Sequence, residues 1–455
     1  MEQTAVEKKF RKYVMASMIT MFLQSAYSMI DGLFVSNLIG DTALSAVNVA
    51  WPVIAVVTAI GTGVGCGGAV MMSTKQGEGK NEESNIVRAN VILALLASSI
   101  VVTILFLVLL TPLLKLMGAE GELLRLSQIY GRVMLTGGVL QILSCGLTPL
   151  LRNDNRAVSA MMIMVGGLIA NLGLDFVFMY VFHLGIGGAA GASLCAQLFT
   201  SLCCLVILGT KKTDPIRFSQ FTIRKEYWKK IFKTAVSPFG ISLTPSLLIL
   251  YHNVACLKFG GDLAVNAYAL ISSTVGSYRV LLIGVAEGIQ PLASYAYGAH
   301  DFHAIRKIRN KAVITAIGVS FFLFIFTIAT ARFYPVIYGY EGEAADLGYH
   351  AVMVTAAQLI FTGLVRVTNS FFYSVGKDRY SLFMIYFDPL IMTPFTIMIL
   401  PRIFGLDGIW ITAVVTQFIL NIVAFGMFAS HEKQMRRLET KEDAVADIAF
   451  AGKLQ

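Results

Sequence analysis

The sequence predicts an all-α polytopic membrane protein, twelve transmembrane helices in two pseudo-symmetric six-helix lobes around a central cavity. Three observations predict it: apolar runs of spanning length, a one-sided distribution of basic residues, and an internal repeat. Of 455 residues, 56% are hydrophobic and only 14% charged, with a mean hydropathy of +0.70. Soluble domains carry about 25% charged residues. The apolar runs reach the ~20 residues that a spanning helix needs, and they lack the alternation over about 10 residues that marks a transmembrane barrel.

Twelve spans are expected near 13–38, 48–72, 87–114, 123–150, 157–182, 186–209, 231–257, 263–297, 311–338, 346–374, 380–401 and 406–430. With the N-terminus set on one side, only Lys115, Arg125, Lys258, Arg332 and Arg402 fall on the other, and Arg132, Arg279 and Arg366 lie within spans. The remaining 28 of the 36 Lys and Arg residues share the side of the termini. Cytoplasmic loops hold such an excess, so both termini are expected in the cytoplasm. The net charge of +9 then reports topology and attraction to anionic lipid rather than nucleic-acid binding. No cleavage site follows the first apolar stretch, which reads as an anchor. Cys66, Cys145, Cys195, Cys203, Cys204 and Cys256 all fall in spans without metal-site spacing, as packing residues do.

The repeat pairs GDTALSAVNVAWPV at Gly40 with GDLAVNAYALISST at Gly261. At the same spacing Gly63 pairs with Gly284, Gly67 with Gly288 and Gly77 with Gly298; further on, Gly188 pairs with Gly408 and Gln197 with Gln417. Six spans per half leave both halves the same way up, with their axis along the membrane normal. The expected organisation is a cytoplasmic N-terminus (1–12), an N-lobe (13–209), a basic cytoplasmic linker (210–230), a C-lobe (231–430) and a cytoplasmic tail (431–455). Prolines in or beside spans, among them Pro52, Pro149, Pro245 and Pro389, fit helices that bend.

Polar groups inside the spans are the candidate functional residues. In QSAYSMIDGLFVSNLIGD, Gln24, Tyr27, Ser28 and Asp31 recur at three, four and seven and share a helical face. A carboxylate at mid-bilayer depth costs roughly 2.5–3.5 kcal/mol on translocon scales and is tolerated where it faces a bundle interior or water. The alternative is an acid that stays protonated and only hydrogen-bonds a neighbour. Asn171 and Asp175 in the fifth span stack four apart, and Ser193 in the sixth adds a hydroxyl among small residues. Two carboxylates, an amide and a hydroxyl would suit a hard cation or a shared proton, so Na+ at these four residues is one expectation. Trp51, Met164 and other methionines of this lobe could wall a cavity, or simply pack.

In the second half His252 stands at the repeat position of Asp31, with Asn253 beside it. It reads either as a core histidine on a backbone carbonyl or as a proton-handling group. Arg279 and Glu287, two turns apart, are expected to pair through an intermediate or with other helices, and Arg366 with Asp388 is a candidate for mutual neutralisation. There is no G-x-S-x-G, H-E-x-x-H or P-loop, and the glycine run near Gly61 lies within a span; the chain is not expected to be an enzyme.

The segments MIDGLFVSNLIGDTALSAVNVAWPV, ANLGLDFVFMYVFHLGIGGAAGAS and GVAEGIQPLASYAYGA resemble the MATE (multidrug and toxic compound extrusion) family from about Phe10 to His431, and the last of them the bacterial MepA-like branch. The resemblance implies antiport: efflux of amphipathic, often cationic, drugs and dyes in exchange for H+ or Na+, with alternating access, no other cofactor, and a monomer in the cell membrane. It also implies a coupling site at Asp31, Asn171, Asp175 and Ser193 and a substrate cavity at Gln24 and Tyr27. The tenth span carries Arg366 where the NorM-like branch has an acid, which places coupling in the first lobe. A lipid-linked oligosaccharide flippase on the same architecture is the alternative; it would need basic residues facing the cavity.

Overall fold

A computed structural model describes residues 3–210 and 220–451, with side chains undescribed at 3–5, 27–29, 33, 36, 37, 41 and 438–451. Tyr27 and Ser28 therefore lie outside the described side chains, and part of the expected linker lies outside the described residues.

The first half contains α1 (Gln3–Leu38), α2 (Asp41–Gly77), α3 (Asn81–Leu116), α4 (Gly121–Thr136), α5 (Gly138–Asn153), α6 (Ala157–Asp175) and α7 (Gly185–Gly209). The second contains α8 (Lys225–Gly298), α9 (Phe302–Thr330), the short α10 (Phe333–Ile337), α11 (Gly342–Ala356), α12 (Gln358–Ser374), α13 (Asp378–Phe387), α14 (Thr393–Phe404) and α15 (Leu406–Ala451). Among the described residues nine helices are long and apolar enough to span singly, and the pairs α4–α5 and α11–α12 span as bent units. The 74-residue α8 breaks at Gly261, with φ 60° and ψ −154°, and supplies two spans, which brings the total to twelve.

The repeat accounts for where the chain turns. Gly40, with φ 118°, ends the first helix as Gly261 ends the first half of α8, and an Asp follows each. Both glycines occupy positive-φ backbone that a Cβ disfavours. The bent spans are equivalent as well. They break by 58° between α4 and α5, at Gly137, and by 44° between α11 and α12, at Ala357. Neither break is at a proline, and Pro52, Pro112, Pro149 and Pro245 sit within continuous helices. Pro389 lies in the irregular turn of the second half's fifth span. Each half also carries a π-helical turn in its fifth span, Phe176–Val181 directly after Asp175 and Asp388–Met392 beginning at Asp388. Such turns rotate the following side chains out of helical register and recur at functional sites.

Outward faces are apolar: Val101, Ile104, Leu105 and Val108 of α3 follow the three-four spacing and are largely exposed, as a lipid-facing stripe should be. Between the halves the backbones come close. Gly63 and Gly67 of α2 lie against Ile231, Ala235 and Phe239 of α8, and Gly284 and Gly288 of α8 lie against Tyr13, Val14, Ser17 and Met18 of α1. These two contacts are the same contact repeated by the pseudo-two-fold. At the end of the bundle that carries most of the basic loops, Gly77 meets Gly298, its own repeat partner, on the axis. A Cβ on Gly77 would collide with the Tyr295 carbonyl, and one on Gly298 with that of Thr74.

Candidate functional site

α1 and α6 pack against each other in the first lobe and bring two acids together. Asp31, partly buried on α1, reaches Asp175 on α6 through a hydrogen bond between the carboxyl groups. Asp175 is fully buried and its Oδ2 accepts 2.8 Å from Asn171 Nδ2, one turn earlier. The buried Oδ1 atoms of both acids have no hydrogen-bond partner. Tyr130 of α4, 5% exposed, stands close enough for its phenol to feel both charges. Two carboxylates in hydrogen-bonding contact cannot both ionise without a large repulsion, so the pair shares a proton or requires a cation.

Ser193 is half-buried on α7, and no hydrogen bond of the described residues ties it to the acids. Among the described residues no group of three His, Cys, Asp or Glu side chains could hold a metal ion. Gln24 and Trp51 are exposed on α1 and α2, and Met164 is half-buried on α6.

The second lobe encloses a cavity of about 260 Å³ between α8, α12, α14 and α15. His252, Arg279, Arg366 and Asp388 all line it. His252 Nδ1 lies 2.8 Å from the Leu248 carbonyl, and its ring stacks on Tyr268 at 4.9 Å. Asn253, its neighbour on the helix, is half-buried. Asp388 accepts from Thr393 Oγ1 at 2.7 Å and Gln417 Nε2 at 2.9 Å. Among the described residues Arg366 and Asp388 make no direct ion pair, but the charges of both Arg279 and Arg366 act on the Asp388 carboxylate.

Glu287 does not join this group. Its Oε2 lies 2.6 Å from Arg152 Nη1, at the end of α5 in the other lobe, a pairing with another helix, as one of the two expectations for it has it. Two turns along a helix separate Arg279 from Glu287 by about 12 Å, beyond contact, whereas the crossing of lobes brings Arg152 alongside. Beside it, Asn153 Nδ2 donates 2.9 Å to Gln290 Oε1, and Ser73 Oγ donates 3.0 Å to Asn153 Oδ1. Hydropathy places 151–156 in a loop, which hides Arg152 and Asn153, and Gln290 is one amide within an apolar span.

A bundle of twelve spans in two repeat-related halves, each with buried charges near a π-helical turn, defines a membrane transporter. The MatE family model matches residues 16–177 and 241–398, most of the chain. The chain belongs to this family, the multidrug and toxic compound extrusion transporters. It is 24% identical over 427 residues to Multidrug export protein MepA of Staphylococcus saprophyticus, covering 93% of each chain. To the protein of the same name from Staphylococcus aureus strain N315 it is 25% identical over 415 residues, 90% of each. Among solved structures, an MOP superfamily transporter from Pyrococcus furiosus superposes with a TM-score of 0.90 at 25% identity, over 95% of this chain and 97% of the other. An outward-facing MATE transporter of that superfamily gives 0.89 at 25% identity over the same shares.

Proposed function

We propose that this protein is a secondary active multidrug exporter that expels amphipathic, often cationic, compounds by antiport, with the coupling ion taken up between Asp31 and Asp175. The observation that carries the reading is the carboxyl pair itself, inside one lobe and held by Asn171. The names of the relatives, multidrug export proteins, support the substrate class. H+ is the coupling ion proposed, because two carboxyl groups in hydrogen-bonding contact are suited to gaining and losing a shared proton.

The mechanism follows from differential binding. With the pair deprotonated, its charge favours a lipophilic cation in the adjoining space, where Gln24 and Trp51 are exposed. Protonation from the outside removes that charge, and the cation leaves. Each pH unit supplies about 1.4 kcal/mol per proton, and each 100 mV about 2.3 kcal/mol per charge moved. For one-to-one exchange with a monovalent cation the voltage cancels and the pH gradient drives export. The basic loops and both termini lie in the cytoplasm on this reading. A single chain suffices, since both lobes belong to it. A flippase would need basic side chains facing the space between lobes; Arg279 and Arg366 instead line the cavity within the second lobe.

The test is ethidium transport in proteoliposomes by wild type, Asp31→Asn and Asp175→Asn, under imposed pH or Na+ gradients at clamped voltage. The expected outcome is loss of gradient-driven transport in both variants and a response to pH alone. Undiminished transport by both variants would overturn the site, and a Na+ response without a pH response would overturn the ion.

A further inference from the structure

The second lobe carries its own charge imbalance, independent of the first lobe's acids. Into its cavity of about 260 Å³ project two guanidinium groups, Arg279 and Arg366, against one carboxylate, Asp388. His252 is the other titratable group bearing charge chemistry there, and its Nδ1 is engaged with the Leu248 carbonyl. Asp388 is held by Thr393 and Gln417, and among the described residues neither guanidinium forms an ion pair with a carboxylate. Arg366 is only 8% exposed and its Nε has no hydrogen-bond partner. Trp410 Nε1 and Thr355 Oγ1, both buried cavity-lining donors, have none either. Two buried guanidinium groups facing one carboxylate leave a net positive charge, which is costly in a low-dielectric interior. A cavity with an excess of donors and positive charge is shaped for an anion.

We infer that the second-lobe cavity is a binding site for a small organic carboxylate. The planar fork of a guanidinium matches a carboxylate with two parallel hydrogen bonds, and Arg366 lines the cavity with its Nε unpartnered. The rest of the wall suits a short apolar or aromatic body: Tyr268, stacked on His252, and the Trp410 ring stand there with Val275 and Ile271. The volume limits the guest to about the size of a benzoate; a drug-sized ligand takes pockets of about 300–1,000 Å³.

The experiment uses the full chain in nanodiscs and reads the fluorescence of Trp410, isolated by replacing Trp51 and Trp228, the other two tryptophans, with Phe. Benzoate is the probe, with benzamide, inorganic phosphate and chloride as the other arms. Benzoate is expected to change the fluorescence saturably and the others are not. Arg366→Gln should weaken benzoate binding at least tenfold, and Arg366→Lys, which keeps the charge but not the fork, by less. Asp388→Asn removes the competing negative charge and should tighten binding several-fold, a gain that misfolding cannot mimic. Equal responses to benzoate and benzamide would show an apolar cavity and overturn the proposal. So would binding of phosphate or chloride without benzoate, no response to any arm, or weaker binding in a folded Asp388→Asn variant.

Discussion

Arg152 Nη1 and Glu287 Oε2 meet at 2.6 Å across the seam between the lobes, one at the end of α5 and the other on α8. With Asn153–Gln290 and Ser73–Asn153 they form a polar clasp at the basic end of the bundle. Glu287→Gln would leave the guanidinium with no opposing charge. Breaking buried pairs costs about 3–5 kcal/mol, and the 22% exposure of the Glu287 side chain puts this one toward the lower end. A cysteine placed at the buried Ser73, in a background free of other cysteines, should then react with maleimide at least tenfold faster. The exchanged pair, Arg152→Glu with Glu287→Arg, should restore protection; equal rates in all three would show that the clasp does not hold this end closed.

The Gly77–Gly298 crossing allows a steric test. A methyl on either residue meets a backbone carbonyl, so the helices must part, a strain of about 1–3 kcal/mol. Gly298→Ala is expected to slow ethidium export several-fold. Gly318→Ala is the matched control, since nothing lies within 4 Å of where its Cβ would stand. Comparable rates in the two variants would remove the crossing from any role in transport.

Stability has its own probe in Arg88 and Asp154, whose side chains are fully buried and 2.8 Å apart. Arg88→Met strands the carboxylate, at a cost of about 3–5 kcal/mol. The double variant Arg88→Met with Asp154→Asn removes both charges and still offers Gln76 an acceptor in place of Asp154 Oδ1. Thermal unfolding in detergent should therefore show the single variant as the less stable of the two. The reverse order would mean that the pair's charge is not what holds this region.

Asn171 and Ser193 separate two versions of the coupling site. Asn171→Ala deletes a hydrogen bond to a charged acceptor, worth about 1.5–3 kcal/mol, and proton-driven transport should fall by about tenfold or more. Ser193→Ala should change it little. A loss as large in Ser193→Ala as in Asn171→Ala would return the hydroxyl to the site.

The architecture was legible in the sequence because hydropathy, basic-loop asymmetry and the repeat each report on a whole helix. Spacing alone paired Asn171 with Asp175, since residues four apart on a helix must be neighbours. What spacing cannot report is which helices cross. Spacing leaves the partner of Glu287 open to any neighbouring helix, and the one it has, Arg152, is 135 positions away. Charge alone sets Asp388 beside Arg366, whereas its hydrogen bonds come from the neutral Thr393 and from Gln417, which the sequence marks only as a repeat position. The breaks at Gly137 and Ala357 were masked by the stronger local signal of proline.

The contact of Gly77 with Gly298 has a mechanical consequence. Where two backbones touch on the symmetry axis, any rocking of one lobe against the other would displace them least, and the point would be its fulcrum. α2 leaves it as a lever arm of 37 residues, about 55 Å at 1.5 Å per residue. A tilt of about 10° would move the arm's far tip by roughly 10 Å while the pivot scarcely shifts. Spectroscopic labels near the pivot would register almost nothing of such a swing. Labels on Thr42 and Leu263, beside the paired glycine breaks at the opposite end, would record nearly all of it.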